Sequence, residues 1–212
     1  IWRLEREVQT VGTGEIAQYM NVAPASVTTM LKRLVEMRLG EHVPYQGVHV
    51  TEKGEALAVD LLRKHRLLER LLVDFLGLPW DEVHDLACKL EHYISMDVAD
   101  RIERVMSFPT TCPHGNPVDA LADDGSQRLL EATTDGPFTV VKITDERPEF
   151  LAYIYEVGLV PGARIEVSER NPFGDVLTLR IAGREKMEAV GREVAGAVCV
   201  SAGEFAIAAS SN

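Results

Sequence analysis

Six side chains of the types that bind metal ions lie close together in this sequence. They are His65, Glu69, His84, Cys88, Glu91 and His92. An α-helix turns about 100° per residue, so residues four positions apart lie on the same face. The apolar spacing predicts two consecutive helices here. His65 and Glu69 share one face of the first helix, and the other four side chains spread over about a quarter of the circumference of the second. This arrangement can supply two neighbouring metal sites.

The kinds of ligand narrow down the metal. Imidazole, carboxylate and one thiolate fit a divalent first-row transition metal better than Ca²⁺ or Mg²⁺. The set does not resemble a closed Cys₄ or Cys₂His₂ zinc site. Iron, manganese, cobalt and nickel all accept such ligands. Cys88 favours iron, whereas a site made only of carboxylates and imidazoles would favour manganese.

The composition excludes several classes of protein. The chain has 212 residues, enough for one large domain or two small ones. No apolar run approaches the ~20 residues of a membrane span, and three scattered cysteines fit a reducing cytoplasm better than a disulfide framework. We therefore expect a cytoplasmic protein without membrane association. The net charge of −11 argues against an indiscriminate polyanion binder, but residues 1–53 are neutral and leave room for a local DNA-binding surface.

The N-terminal segment predicts a winged helix-turn-helix. A short helix over residues 13–20 and a second over 24–38 are joined by a tight turn, and a hairpin over residues 40–51 would form the wing. The second helix would bury Val27, Met30, Leu31, Leu34 and Val35. Its other face would present hydroxyl and basic side chains to DNA bases and phosphates. These side chains are Ser26, Thr28, Thr29, Lys32 and Arg33.

The rest of the chain divides into helical and β-rich parts. Helices are predicted over residues 52–76, 81–93 and from residue 95 or 97 to 106, and their apolar stripe is either core or a dimer contact. Residues 109–135 are rich in Pro, Gly and Asp and predict a linker. Strands are predicted over residues 138–143, 163–167 and 176–181, with a short helix over 149–158. Within the linker, Cys112-Pro113-His114-Gly115 has no second cysteine nearby, so we predict only a packing role for Cys112, as for Cys199.

With these features in place, the chain resembles the diphtheria toxin repressor family of iron- and manganese-dependent regulators. The resemblance runs nearly end to end and is most specific over residues 64–72 and 83–92. Cys112-Pro113-His114-Gly115-Asn116-Pro117 is a second family motif, residues 21–34 resemble the recognition-helix region, and residues 157–163 match a turn of the family's SH3-like domain.

The resemblance implies an α+β protein with a winged helix-turn-helix, a helical metal-binding and dimerisation domain, and a C-terminal SH3-like small β-barrel. The predicted boundaries are 1–53, 54–108, a linker at 109–135, 136–203 for the SH3-like domain, and a tail at 204–212. It also implies two metal sites in each subunit. The first is predicted to contain His65, Glu69, His84, Glu146 and Glu149. The second is predicted to contain Cys88, Glu91 and His92, together with a ligand that would lie before Ile1.

The resemblance further implies that Arg66 and Asn116 hold an anion near the first site. The expected function is repression of metal-uptake genes by a homodimer that binds a palindromic double-stranded DNA operator when Mn²⁺ or Fe²⁺ is bound. Co²⁺, Ni²⁺, Zn²⁺ or Cd²⁺ can substitute. The protein is not expected to be an enzyme, since no nucleophile or separate general base accompanies the ligands. Two alternatives remain open: a winged-helix regulator that responds to a non-metal effector, and a metallohydrolase.

Overall fold

A computed structural model of the chain describes residues 1–5, 11–43, 47–133, 135–171 and 175–203. The chain divides into two compact units, Ile1–Leu62 and Arg63–Asn212. The predicted tail at 204–212 lies outside the described residues. Among the helices of the described residues, none is both long and apolar enough to cross a membrane.

The first unit has the predicted winged helix-turn-helix order. Its elements are α1 (Trp2–Glu5), α2 (Thr13–Tyr19), α3 (Pro24–Glu36), β1 (Gly40–Val43), β2 (Gly47–Val50) and the start of α4 (Glu52–Asp74). Proline opens α3, where its missing N–H removes no intrahelical hydrogen bond. The strands β1 and β2 pair antiparallel, with Gly40 opposite Val50. Residues 44–46 of the predicted wing lie outside the described residues.

The core of this unit is narrower than predicted. Val27 and Leu31 of α3 are buried and Leu34 is half-buried, as expected from their spacing of four and three residues. Met30 and Val35, however, are 45% and 38% exposed, so the prediction that α3 buries them was wrong. They flank the inward stripe, and in the part of this unit that the structure describes no element covers them.

The helical part of the second unit consists of the rest of α4, α5 (Val83–Leu90) and α6 (Met96–Val105). The Oγ of Ser95 accepts a hydrogen bond from the N–H of Val98, at 3.3 Å, so Ser95 rather than Asp97 is the cap of α6 among the two predicted. Helix α5 ends three residues earlier than predicted, which leaves Glu91 and His92 in the turn that follows. Two apolar clusters hold these helices together, around Leu68 and around Leu67.

The β-rich part is a six-stranded antiparallel sheet with strand order β3-β8-β4-β5-β6-β7. The strands are β3 (Gln127–Arg128), β4 (Phe138–Ile143), β5 (Arg164–Asn171), β6 (Val176–Ile181), β7 (Glu188–Val190) and β8 (Val198–Ala202). Two helices, α7 (Pro148–Val157) and α8 (Arg192–Ala197), complete this domain. The predicted strands and the predicted short helix are all present. Side chains such as Leu151, Ile165 and Leu179 form its dry core.

Much of the segment predicted as a linker is packed into the second unit. Cys112 and His114 are fully buried, and Leu129 belongs to the core of the β-rich domain. The Cys-Pro-His-Gly segment is a closed turn, in which the N–H of Cys112 donates to the carbonyl of Asn116 at 2.8 Å. The composition of residues 112–116 indicated a turn without regular secondary structure, but it did not reveal that this turn is buried.

Candidate metal centre

Helix α4 supplies the middle of the centre. His65 and Glu69 lie one turn apart, and the Nε2 of His65 is 2.9 Å from the Oε1 of Glu69. Both residues are buried, and Glu69 is 0% exposed. A carboxylate is rarely buried unless it is paired or binds a metal. The burial of this pair therefore makes it a candidate for metal binding.

Helix α5 brings a second imidazole and a thiol to the same place. The Nδ1 of His84 lies 3.1 Å from the Nε2 of His65 and 3.3 Å from the Oε1 of Glu69. One turn later, the Sγ of Cys88 lies 3.7 Å from the Nε2 of His84. His65, His84 and Cys88 have ligand atoms within 4.8 Å of one another. We call them the two-histidine group.

The Cys-Pro-His-Gly turn contributes ligands from another direction. The Nε2–H of His114 donates to the carbonyl of Trp80 at 2.8 Å, and its Nδ1 lies 3.4 Å from the Oε1 of Glu69. Burial opposes protonation of His114, but the hydrogen bond to Glu69 raises its pKa. Gly115 has φ +86°, and a Cβ there would overlap the backbone oxygen of Val141. Glycine is therefore required where this turn lies against β4.

The loop before α7 supplies the last carboxylate. The Nδ2 of Asn116 donates to the Oε1 of Glu146 at 3.1 Å, while the Oε2 of Glu146 lies 3.4 Å from the Nδ1 of His84. Four buried residues have ligand atoms within 4.8 Å of one another: Glu69, Cys112, His114 and Glu146. We call them the cysteine–carboxylate group.

Glu69 belongs to the cysteine–carboxylate group and also contacts both imidazoles of the two-histidine group. Its Oε1 lies within 3.4 Å of a ring nitrogen of His65, His84 and His114. Its Oε2 is buried and accepts no hydrogen bond from the residues that the structure describes. Burial opposes ionisation of Glu69, but hydrogen bonds from the imidazoles outweigh it and hold its pKa well below the usual range. Glu69 is therefore an ionised carboxylate whose Oε2 can bind a cation.

The pKa values of the histidines and cysteines around Glu69 follow from the same contacts and from burial. Burial opposes protonation of His65, but hydrogen bonds to Cys88, Glu69 and Glu91 raise its pKa to about 12. Similar contacts overcome burial at His84 and raise its pKa to about 10. Hydrogen bonds to the two histidines lower the pKa of Cys88 to about 7, whereas burial raises that of Cys112 well above its usual value. A metal ion that bound His65 and His84 would therefore displace a proton from each imidazole.

Three protein-family models match consecutive parts of this chain. Residues 1–48 match the iron-dependent repressor N-terminal DNA-binding domain, residues 51–119 match the iron-dependent repressor metal-binding and dimerisation domain, and residues 127–202 match the FeoA domain. The chain belongs to the family of iron-dependent repressors. The predicted resemblance and the predicted order of domains, including the β-rich C-terminal domain, are confirmed.

Individual relatives support the same assignment. The iron-dependent repressor IdeR of Mycobacterium tuberculosis is 38% identical over 203 residues, which cover 88% of this chain and 87% of the relative. The diphtheria toxin repressor of Corynebacterium diphtheriae is 29% identical over 81% of this chain and 82% of its own length. A solved manganese-dependent transcriptional repressor in complex with manganese superposes with a TM-score of 0.81 at 31% identity and covers 91% of both chains.

The side chains predicted for the second site of this iron-dependent repressor do not form one group. The Oε2 of Glu91 accepts a hydrogen bond from the Nδ1 of His65 at 2.7 Å, and Cys88 belongs to the two-histidine group. The His92 side chain is 64% exposed, with its Nε2 3.6 Å from the Oε1 of Glu91. The set of Cys88, Glu91 and His92 stays a prediction.

The side chains predicted for the first site are mostly together. His65, Glu69, His84 and Glu146 are in contact, whereas Glu149 is exposed in the first turn of α7 and belongs to neither group. A role of Glu149 as a ligand stays a prediction.

The two residues predicted to hold an anion are both engaged with the protein. Arg66 donates to the carbonyl of Pro117, and Asn116 donates to the carbonyl of Ile143 as well as to Glu146. Anion binding by Arg66 and Asn116 stays a prediction.

Cys112 and His114 are the residues that sequence reasoning missed. Both were assigned to a linker, and the structure places both in the cysteine–carboxylate group. The available signal was the spacing Cys-Pro-His, which carries two ligand types on one tight turn. Arg70 holds this turn in place, because its guanidinium donates to the carbonyls of Thr111 and Cys112 at 3.0 and 2.9 Å.

The residues predicted to contact DNA are all exposed on α3. They are Ser26, Thr28, Thr29, Lys32 and Arg33. The hydroxyls of Thr28 and Thr29 donate to the carbonyls of Pro24 and Ala25, at 3.1 and 3.2 Å, so both oxygens retain lone pairs toward solvent. Their roles in DNA recognition stay predictions.

Proposed function

We propose that this chain is a transcriptional repressor whose binding to DNA depends on Mn²⁺ or Fe²⁺. The observation that carries the proposal is the set of buried imidazole, thiol and carboxylate groups around Glu69. Packing alone does not explain a cluster of ionisable side chains gathered from two helices, a tight turn and a loop.

A divalent transition metal fits these ligands. A buried carboxylate oxygen without a hydrogen bond is energetically unfavourable, and a cation beside the Oε2 of Glu69 would remove that penalty. The ligand types suit iron and manganese, and cobalt, nickel, zinc or cadmium can occupy similar sites. When bound, the metal supplies positive charge that holds the converging helices and loops together.

Hydrogen bonds within the protein orient the candidate ligands. The backbone carbonyl of Trp80 fixes the ring orientation of His114, and Glu91 fixes that of His65. Asn116 orients Glu146 toward His84. These contacts select the nitrogen and oxygen atoms that face the metal.

For DNA recognition, we propose that α3 enters the major groove of a palindromic double-stranded operator. The exposed Lys32 and Arg33 would contact phosphates or base edges, and the N-terminal turn of α3 near Ser26 would face a phosphate. A homodimer would place two such helices about 34 Å apart, one turn of DNA. The exposed apolar side chains Val98 and Val105 of α6 suit the contact between subunits. Such a protein acts in the cytoplasm and regulates metal-uptake genes.

The decisive experiment measures operator affinity with and without metal. Fluorescence anisotropy with labelled operator DNA is expected to show about 5- to 150-fold tighter binding in buffered Mn²⁺ or Fe²⁺ than in EDTA, because this is the range of ordinary allosteric coupling. By linkage, the DNA must tighten metal binding by the same factor. Equal affinity under both conditions would instead favour a regulator with a non-metal effector.

Variants of α3 test the DNA-binding surface separately. Lys32→Ala and Arg33→Ala should weaken operator binding and, where each contacts a phosphate, reduce the slope of log affinity against log salt by about one. Metal affinity should not change. Lys186→Ala is a matched control, because Lys186 is an exposed lysine of the β-rich domain. Unchanged operator binding in both α3 variants would contradict the assignment of the recognition helix.

A further inference from the structure

The part of α4 that belongs to the second unit has two opposite faces. At about 100° per residue, Glu69 lies roughly 40° from His65 around the helix axis, whereas Arg63 and Leu67 each lie roughly 160° from His65. The candidate metal ligands of α4 therefore occupy one face of the helix, and Arg63 and Leu67 occupy the opposite face.

Helix α6 packs against the face of α4 that is opposite the candidate ligands. Leu67 shares an apolar cluster with Ala99 of α6. The Nη1 of Arg63 lies 2.8 Å from the Oδ1 of Asp100, and its Nη2 donates to the Oε2 of Glu103. Asp100 and Glu103 stand at positions i and i+3, so they are neighbours on one face of α6. One planar guanidinium therefore joins α4 to two carboxylates of α6.

The other side of α6 bears the surface that we propose for the contact between subunits. Val98 and Val105 are exposed, and they lie within roughly 20° of each other around the axis of α6. Asp100 and Glu103 lie roughly 140–160° from Val98. Helix α6 therefore lies between α4 and the proposed subunit contact.

We propose that Arg63 couples metal binding on α4 to association of the subunits through α6. The proposal rests on the metal-dependent repressor proposed above, and it names how the metal regulates the dimer. When a metal ion holds the ligands on one face of α4, the rotation of the helix is fixed, and this rotation sets the position of Arg63 on the other face. Arg63 binds neither the metal nor the partner subunit, so it is a positioning residue that acts through α6.

The ion pair is directional, whereas the apolar contact beside it is not. Burial of Leu67 is favourable over a range of helix rotations, because the hydrophobic effect has no preferred direction. The guanidinium of Arg63 presents its donors in a rigid fork, so both hydrogen bonds are retained only while α4 and α6 keep one rotation and one register. The side chains of Arg63 and Glu103 are 23% and 20% exposed, so solvent screens this pair less than a fully exposed pair. A rotation of α4 is therefore transmitted to α6 mainly through Arg63.

Analytical ultracentrifugation measures the coupling as the ratio of the dimer dissociation constants without and with buffered Mn²⁺. For the wild type we expect a ratio of about 5 to 150, the range of ordinary allosteric coupling, and Arg63→Ala should reduce it to less than about 2. A general loss of packing would change both dissociation constants together. The ratio is therefore a readout that a merely structural role of Arg63 would not change.

Metal affinity is measured on the same variants. Co²⁺ bound to a thiolate gives a charge-transfer absorption band, so in a Cys112→Ser background the band reports binding at Cys88. At protein concentrations where the chain is monomeric, Arg63→Ala should leave this affinity within about 3-fold, because Arg63 shares no contact with the ligands on the opposite face. Circular dichroism and urea unfolding without metal check that the fold is retained.

Three further variants separate the ion pair from the Arg63 side chain itself. Asp100→Asn combined with Glu103→Gln removes the same link from α6 and should reproduce the effect of Arg63→Ala. Arg63→Lys should retain part of the coupling, because an ammonium keeps the charge but lacks the fork of the guanidinium. Arg101→Ala is the matched control: it breaks an exposed ion pair with Asp97 inside α6, so the ratio should stay at the wild-type value.

Two outcomes would overturn the coupling. Arg63→Ala and the double carboxylate variant could both keep the wild-type ratio, or Mn²⁺ could leave the dissociation constant of the wild-type dimer unchanged. If Arg63→Ala does not fold, Arg63→Lys and the double variant decide. Either adverse result is compatible with metal-dependent operator binding by a dimer that is already formed, which the anisotropy experiment measures separately. Equal operator affinity with and without metal would contradict the proposed function even where Mn²⁺ strengthens the dimer, so the two failures are distinguishable.

Discussion

The two ends of the ligand cluster differ in how completely the protein prepares them. At the buried end, His114 is 0% exposed and its ring is fixed by a backbone carbonyl. At the open end, the His92 side chain is 64% exposed and contacts only one carboxylate oxygen, at 3.6 Å, among the described residues. The first end is therefore already organised without metal, and the second is not.

This difference indicates how one protein can bind metal tightly at one site and change conformation on metal binding at another. A pre-organised site binds its ion without losing further side-chain freedom, so it can remain occupied at low metal concentration. A site that must be ordered binds more weakly and changes the conformation of its surroundings when it fills. We therefore expect the buried end to fill first and the open end to respond to changes in metal supply.

The largest expected contrast between the ends is the reactivity of the two thiols. Cys88 is half-exposed and its pKa is lowered to about 7, whereas burial raises the pKa of Cys112 well above its usual value. Because only the thiolate reacts, iodoacetamide at pH 7 should modify Cys88 at least about 100-fold faster than Cys112. The Cys88 rate should rise as pH increases through 7 and then level off.

Mass spectrometry of timed digests measures both rates in one sample. Cys88→Ser provides the control, since its remaining early modification must come from another cysteine. Bound Mn²⁺ should protect Cys88. Similar rates at the two thiols would mean that the buried end opens readily, and the contrast between the ends would then be lost.

The next largest effect is expected from removing His114, the best-organised candidate ligand. His114→Ala should weaken metal binding in the cysteine–carboxylate group by about 100-fold or more, since even residues that only orient ligands contribute 10- to 100-fold. His92→Ala should leave this affinity within about 3-fold, because the two side chains share no contact. Trp80 provides the measurement, since its ring centroid lies 5.1 Å from that of His114 and bound Mn²⁺ or Co²⁺ should quench its fluorescence.

The control for this experiment removes the other tryptophan. The sequence has two, and Trp2→Phe leaves Trp80 as the single fluorophore. Isothermal titration of the same variants gives an independent affinity. If His92→Ala weakened the Trp80-reported site as much as His114→Ala, the two ends would act as one site.

The helices and strands could be predicted from sequence more fully than the metal centre. Periodicity correctly placed His65 and Glu69, and likewise His84 and Cys88, one turn apart on shared faces, because helical geometry fixes such pairs locally. Strands β4 and β6 were predicted at their observed bounds from runs of β-branched residues. The resemblance to the family added Glu146, which no local pattern indicated.

The part of the site that could not be predicted from the sequence depends on tertiary packing. Cys112 and His114 lie in an irregular turn, and their proximity to Glu69 is set by Arg70, Trp80 and the contact with β4. These contacts have no sequence period, so a Pro- and Gly-rich segment is easily assigned to a linker. The same limitation explains Met30 and Val35, since apolar spacing shows which face is hydrophobic but not how wide a face the neighbours cover.

A smaller effect, on the free energy of unfolding, tests whether close backbone packing at Gly115 holds the buried end in place. Gly115→Ala should lower the free energy of unfolding by about 2–3 kcal/mol, because the residue has positive φ and its Cβ would overlap the oxygen of Val141. Gly77→Ala is the matched control: it also has positive φ, but its Cβ would meet nothing within 4 Å. That variant should lose only about 1 kcal/mol. Urea unfolding without metal gives both values, and equal losses would argue against close packing at Gly115.

The smallest expected effect concerns the residue that connects the two ends, Glu91. Its Oε2 accepts the Nδ1–H of His65 and its Oε1 approaches His92. If Glu91 orients His65 without binding the metal, Glu91→Gln should weaken Co²⁺ binding at Cys88 only about 10-fold, and the amide oxygen should retain part of the orienting hydrogen bond. Asp85→Asn, an exposed change on the preceding helix α5, should have no effect. A loss of more than about 100-fold would instead make Glu91 a direct ligand, and the open end would then bind metal through Glu91 and His92.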